Sequence, residues 1–173
     1  MSYAKVPLGE KAPEVLNVVI EIPTGTNNKF EYDEEMDEIV LDRVLHSPMF
    51  YPTEYGFVPG TRSEDGDHLD IMVLTTYPTF PGCVMQVRPV GVLEMEDEEG
   101  IDPKILAVAA KDPHYHDVTE LEDVNKHLRN EIVHFFEAYK HLEDKWAKVA
   151  GWQDKNYAIK MVKEAMERYN NEK

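Results

Sequence analysis

Apolar residues in the first two-thirds of this chain come in short runs, each cut off by a turn signal. That rhythm limits the fold more than any other feature of the sequence. Residues 15–22 read as a strand, with Val18, Ile20 and Ile22 on one face and Glu21 on the other, because side chains of an extended chain alternate sides. Thr24-Gly25-Thr26-Asn27-Asn28 is a turn, and residues 29–32 then alternate strictly, Phe30 and Tyr32 against Lys29 and Glu31. A third strand, 39–45, is broken by Ser47-Pro48. The short run 55–58 ends at Pro59-Gly60. Residues 69–75 are apolar on both faces, the pattern of a buried strand. Residues 84–93 carry Pro89, which cannot donate to a ladder and so predicts an edge or a bulge. Residues 105–110 form the last predicted strand.

The final third reads as helical. Residues 123–142 put Val124, Leu128, Ile132, Phe135, Phe136 and Tyr139 on one broad face, and residues 154–169 do the same with Tyr157, Met161, Ala165 and Met166. Many short strands followed by amphipathic helices predict a mainly β fold with α (α+β), a small barrel or sandwich with helices packed outside. A length of 173 residues suits one domain spanning 1–173, and a hydrophobic fraction of 42% is enough to build its core.

Charge narrows the function. Eighteen basic residues against 34 acidic ones leave −16 with His neutral. Such a surface repels nucleic acid and anionic lipid and attracts divalent cations. A polyanionic substrate would need the few basic groups, or bound metals, gathered in one place. The lone cysteine, Cys83, rules out an intrachain disulfide and a multi-Cys zinc site, and reads as a small residue after the Pro81-Gly82 turn. The first residues lack a basic-then-apolar leader, and no apolar run approaches the roughly 20 residues that span a bilayer. The expectation is a cytoplasmic protein.

The most informative segment is Asp65-Gly66-Asp67-His68-Leu69-Asp70. Hard divalent cations want several oxygen ligands at short range, and crowded carboxylates are costly unless a cation compensates them. Standing alone, the cluster is equally what a solvated loop of an acidic chain looks like. It is not a calcium-binding EF-hand loop, which needs Gly at its sixth position and Glu at its twelfth; counted from Asp65, those are Asp70 and Thr76. Asp65 and Asp67 share one side of an extended chain and Asp70 does not, so all three meet only if the backbone bends between Asp67 and Asp70.

A second acidic stretch runs from Glu94 to Lys104. Glu94, Glu96 and Glu99 read as an exposed hairpin tip, whereas Asp102 and Lys104 share a strand face and suit a metal and an anion respectively. Lys29 stands beside Glu31, Arg43 ends an apolar strand, Tyr51 and Tyr55 flank Pro52-Thr53-Glu54, and Tyr139-Lys140 close the long helix. Taken singly, each is equally a surface cation or a packed tyrosine. His114 and His116 are spaced like ligands but read as an incidental loop pair. No GxxxxGK[ST], GxGxxG after a strand, GxSxG or HExxH occurs.

In sequence order, Val18-Val19-Ile20-Glu21-Ile22-Pro23, Lys29-Phe30-Glu31, Asp42-Arg43, Phe50-Tyr51-Pro52-x-x-Tyr55-Gly56 and Asp65-Gly66-Asp67-x-x-Asp70 resemble the soluble family I inorganic pyrophosphatases. The resemblance continues through Arg88-Pro89-Val90-Gly91-Val92-Leu93, Asp97-Glu98-x-Gly100-x-Asp102-x-Lys104, His134-Phe135-Phe136-x-x-Tyr139-Lys140, Lys145-Trp146 and Gly151-Trp152. It implies a five-stranded OB-like β-barrel with flanking helices, including a long helix and a C-terminal helix, and assembly as a homohexamer. It implies hydrolysis of pyrophosphate to two phosphates with several Mg²⁺ ions per site, Mn²⁺ or Zn²⁺ substituting. Asp65, Asp70 and Asp102 match the tight metal positions, Asp97 joins them through further ions, and Asp67 matches the group that takes the proton from the attacking water. Lys29, Arg43, Tyr55, Tyr139 and Lys140 match the positions that grip the phosphates. Glu21, Glu31, Tyr51, Glu98 and Lys104 match supporting positions in the cavity, Lys104 on the substrate side. The chain departs from the family pattern at His68, where Pro or Glu is usual, at Glu54, where a small or amide residue is usual, and in the turn 24–28, one residue short.

Two other readings share some of these features. Another two-metal phosphohydrolase would need an aromatic platform for a nucleobase, and none is identifiable. A non-catalytic acidic cation-binding module would explain the charge but not Lys29, Arg43, Tyr55, Tyr139 and Lys140 in matching context. An OB-type nucleic-acid binder suits the fold and not the charge.

Overall fold

In the computed structural model, residues 2–172 are described, so the expected span of 1–173 reaches one residue beyond them at each end. The strands are β1 (Leu16–Ile22), β2 (Asn28–Asp33), β3 (Glu38–Val44), β4 (Glu54–Val58), β5 (Leu69–Leu74), β6 (Val84–Asp97), β7 (Gly100–Ile101), β8 (Lys104–Ala109) and β9 (Ala147–Gln153); the helices are α1 (Lys126–Ala138) and α2 (Lys155–Asn171).

Pairing runs β1–β4–β5–β8–β6, and β6 pairs β1 again, so the path returns to its start. This is the expected OB-like ring. Closing a sheet on itself removes the unpaired edges that invite aggregation. Among the described residues, only β5 and β8 run parallel. Alternation sorts the side chains into two cores. Leu16, Val18, Ile20, Ile71, Val73, Ile105 and Ala107 join Ala158, Val162 and Ala165 of α2. Ile22, Met72, Leu74, Leu106 and Val108 join Ile132, Phe135 and Phe136 of α1. The small residues on α2 let its backbone lie close against the sheet.

β6 is the longest strand at 14 residues and serves β1, β8, β9 and β7 in turn. Pro89 marks a bulge in this central strand, not an edge: the β6–β8 register slips between Pro89 and Gly91. The slip explains why Val90 and Val92, two residues apart, fall in different cores. The strand also outruns its predicted end at residue 93, because Met95 and Asp97 point inward while Glu96 stays exposed.

The last third is not purely helical. β9 pairs with β6 between the two helices, its alternation disguised by a register slip opposite Glu94 and Met95 and by Gly151 at φ +147°. The long helix is also shorter than its apolar spacing predicts. The Asn125 side chain accepts from the amides of His127 and Leu128 at 2.8 and 3.3 Å, which caps α1 there instead of at residue 123. Beyond Ala138 the chain tightens into a 3₁₀ turn, His141–Glu143, that ends at Asp144 with φ +55°.

Among the described residues, β2 and β3 form a separate two-stranded sheet with no ladder to the seven-stranded one. Side chains hold it in place: the Tyr32 ring stacks on Phe57 at 5.1 Å, and the Tyr32 amide donates to Glu21 at 2.7 Å. Among the described residues, no helix is long and apolar enough to cross a membrane.

β1 and β4 approach so closely that Gly56 has no room for a side chain: an added Cβ would drive into the Val19 carbonyl oxygen and lie 2.9 Å from the Ile20 Cα. Gly56→Ala is therefore expected to destabilise by about 3 kcal/mol or more, the upper range for overpacked sites, read as a lower urea midpoint at unchanged slope. A loss under about 0.5 kcal/mol would mean that the two strands separate freely.

Candidate active site

One cavity of about 710 Å³ opens where the hairpin β2–β3 faces the ends of β1, β4, β5 and β8. All of the sequence-predicted site residues line it except Glu98, which sits just behind and accepts from Lys140 Nζ at 3.4 Å and pairs with Lys145 at 3.2 Å. The topology explains the convergence. Glu21 is the last residue but one of β1, Tyr55 lies in β4, Asp70 in β5 and Lys104 begins β8, while Lys29 and Glu31 come from β2 and Arg43 from β3. Asp97 ends β6, and Tyr139-Lys140 follow α1 directly.

The chain bends at Gly66, ahead of Asp67, and not between Asp67 and Asp70 where the parity argument asks for it. Gly66 takes φ +96°, a conformation glycine adopts freely, and the Asp67 amide donates back to Asp65 Oδ1 at 2.9 Å. Asp65 and Asp67 thus lie on the turn, and Asp70 lies in β5.

Lys104 is the hub. Its ammonium donates to Asp70 at 2.7 Å, to both oxygens of Asp102 at 2.9 and 2.8 Å, and to the Tyr55 hydroxyl at 2.9 Å, with only 3% of the side chain exposed. Tyr55 donates to the same Asp70 oxygen. Burial works against the charge on Lys104, but Asp70 and Asp102 outweigh it and hold the ammonium protonated. Lys140 pairs similarly with Asp97 at 2.6 Å. Across the cavity Lys29 meets Glu31 and lies 3.6 Å from Asp42, and Arg43 bonds Asp42 through Nη1 and Glu143 through Nη2, the latter at 2.9 Å. Tyr51 and Tyr139 belong to an aromatic cluster with Phe135, at 4.7 and 5.1 Å, so they are core and cavity wall at once.

Carboxylates outnumber cations along the lining, and their protonation reflects it. Asp67 is raised by burial and then by Asp65 and Asp70. Asp102 is raised by burial and by Asp70, against the pull of Lys104. Burial alone would raise Asp97 too, but Lys140 and the Glu99 amide bring it below its ordinary value. Among the described residues, no three acidic, His or Cys side chains converge closely enough to hold one ion. The donor set nevertheless fits hard divalent cations: Asp65, Asp67, Asp70, Asp97 and Asp102 all line one cavity. The Lys104 ammonium between Asp70 and Asp102 marks where positive charge is already required.

Several contributors escaped sequence reasoning. Glu143 sits beside Asp144 at the end of a 3₁₀ turn, and nothing in its sequence neighbourhood points to Arg43. Glu34 pairs with Arg62 at 3.1 Å and stands 3.1 Å from His68 Nε2. His68 itself is buried against Phe57, ring centroids 5.0 Å apart, with Nδ1 3.0 Å from the Thr61 carbonyl, so its imidazole is packed behind the acidic turn. Glu54 is fully buried and accepts from the Thr24 and Thr79 amides at 2.8 and 3.2 Å, joining the turn before Lys29 to the loop after β5.

A family model described as inorganic pyrophosphatase matches residues 18–170. The inorganic pyrophosphatase of Thermus thermophilus is 50% identical over 167 residues, covering 95% of each chain. That of Methanosarcina acetivorans is 52% identical over 156 residues, covering 90% of this chain and 93% of its own. The crystal structure of the Thermus thermophilus inorganic pyrophosphatase superposes with a TM-score of 0.96 over 98% of this chain and 99% of that one, at 47% identity.

Burial, and then Asp70, push the Glu21 carboxyl from 4.5 up to about 8. The folded chain thus keeps a proton that the unfolded chain releases. The stability this gives is fully present below pH 4.5 and is lost as pH rises through about 8. Glu21→Gln cannot lose that proton. In metal-free buffer its urea midpoint is expected to gain on that of the natural chain from about pH 4.5 to about pH 8; a constant difference across that window would mean that Glu21 is ionised in the fold.

Proposed function

This chain belongs to the inorganic pyrophosphatase family, and from that membership we infer which of its groups carry out the hydrolysis of pyrophosphate. The activity is the metal-dependent cleavage of pyrophosphate to two phosphates. The observation that carries the assignment of roles is the convergence of carboxylates and cations from separate elements on one cavity.

Pyrophosphate is densely anionic and repels an oxygen nucleophile, so the site must neutralise charge, align water and stabilise the leaving phosphate. Asp65, Asp70, Asp97 and Asp102 would hold divalent cations, with Mg²⁺ the working ion, which would supply charge neutralisation and lower the pKa of water. Asp67 would take the proton from the attacking water. Its raised pKa, caused by burial and by Asp65 and Asp70, makes it a better acceptor than an ordinary surface carboxylate. Arg43 offers a planar fork that matches two phosphate oxygens. Lys29 and Lys140 add point charges, and the Tyr55 and Tyr139 hydroxyls add neutral donors. Lys104 keeps Asp70 and Asp102 together on the substrate side, where a phosphate oxygen would reach its ammonium by taking the place of one of these partners. Glu21, Glu31, Tyr51 and Glu98 orient these groups; the bond from Lys29 to Glu31 is one such contact.

On the same reading the protein works as a homohexamer in the cytoplasm. Exposed Leu41, Val44, Tyr77 and Phe80 supply apolar surface that a second copy would cover.

Asp67→Asn is expected to lower kcat by roughly 10²–10⁴-fold, the usual contribution of a positioned base, while leaving Mg²⁺ binding by calorimetry intact. Near-natural turnover would remove Asp67 from the base role. Chelation should abolish phosphate release from pyrophosphate, and Mg²⁺ should restore it. Calcium should bind the same carboxylates yet support little turnover, since it prefers looser and larger coordination; efficient hydrolysis with calcium alone would contradict this use of the carboxylates.

A further inference from the structure

Arg43 reaches the cavity from β3, and among the described residues β3 pairs only with β2. Its guanidinium is therefore not aimed by the large sheet. Two carboxylates orient it: the adjacent Asp42 takes Nη1, and Glu143, 100 positions further along the chain, takes Nη2 at 2.9 Å. Glu143 is the more buried partner, its side chain 6% exposed against 33% for Asp42. Its second oxygen, Oε1, is buried without a hydrogen bond, as is Arg43 Nε. A buried carboxylate with one ion-pair partner has nowhere else to place its charge, so the pair is strongly directional. The fork of an arginine is rigid and planar, and fixing one Nη fixes the direction of the other donors.

Glu143 is in turn held by the backbone. It lies in the turn that starts at Lys140, its amide donates to the Lys140 carbonyl at 2.9 Å, and the turn closes at Asp144 in the left-handed region. The same short segment carries Tyr139 and Lys140, which line the cavity from the end of α1. One side chain thus links the cations of the hairpin to those that follow α1.

We propose that Glu143 is a positioning residue for pyrophosphate binding: it aims Arg43 and fixes the hairpin β2–β3 against the segment after α1. The inference rests on the reading of Arg43 as a phosphate contact. Glu143 touches no substrate and acts through Arg43 alone.

The test is a double-mutant cycle on the full-length protein, with pyrophosphate as substrate at saturating Mg²⁺. Glu143→Gln is expected to raise KM roughly tenfold with kcat changed less than about threefold, the pattern of lost ground-state binding. Glu143→Asp keeps the charge but withdraws the carboxylate, and should fall between the two. Arg43→Ala should raise KM further, and adding Glu143→Gln to it should change nothing more. Urea unfolding of each variant separates loss of fold from loss of aim, and Glu143→Asp supplies the comparison should Glu143→Gln not fold. An unchanged KM in Glu143→Gln beside an impaired Arg43→Ala overturns the inference alone. So does an additive effect in the double variant, which is the mark of a general structural role. A natural KM in Arg43→Ala overturns the reading of Arg43, and this inference with it.

Discussion

A buried ammonium must be surrounded by acceptors or lose its proton, and Lys104 is surrounded on every side. Its contacts to Asp70, Asp102 and Tyr55 join β4, β5 and β8 at the floor of the cavity. Replacing such a cluster by apolar residues often costs nothing in stability, whereas removing one partner leaves a charge stranded. The cluster is therefore weak as a source of folding energy and strong as a constraint on geometry. It keeps two carboxylates of like charge side by side in a place where they would otherwise repel.

The cavity has two walls of different construction. One is built on the ring of strands and carries Asp70, Asp102 and Lys104, with Asp65 and Asp67 on the turn that leads into β5. The other is the hairpin with Lys29, Glu31 and Arg43, attached through side chains such as Tyr32 and Glu143. The rigid wall holds the groups that must keep fixed distances to one another. The attached wall holds the cations of the hairpin, among them Arg43, whose direction is set by its carboxylate partners.

Much of this was legible in the sequence. Strand positions followed from alternation and turn residues, and the acidic motif with its Gly66 bend was visible because all its members lie within six residues. The rest was hidden for particular reasons. β9 contains a register slip and a glycine with positive φ, which break the period-two pattern. The helix start moved because Asn125 takes backbone amides that apolar spacing cannot foresee. Asp102 and Lys104 were correctly read as neighbours, but Lys104 proved as much a clamp on the carboxylates as a group waiting for an anion. Glu143 and Glu54 were unreadable, since their partners lie 100 and 30 or 25 positions away and only the fold brings them together.

The two slips in β6 have a meaning for how the strand tolerates change. Val84–Val87 are locked to β1, and Asp97 must arrive facing inward at the far end of the same strand. Between them the inward face is counted residue by residue, much as a message is read in frame. Losing one residue from Gly91–Leu93, beyond the bulge at Val90, would turn every later side chain over, setting Glu96 in the apolar place of Met95 and sending Asp97 to solvent. Point substitutions in β6 can thus be absorbed locally, whereas a single-residue deletion would act as a frameshift in three dimensions.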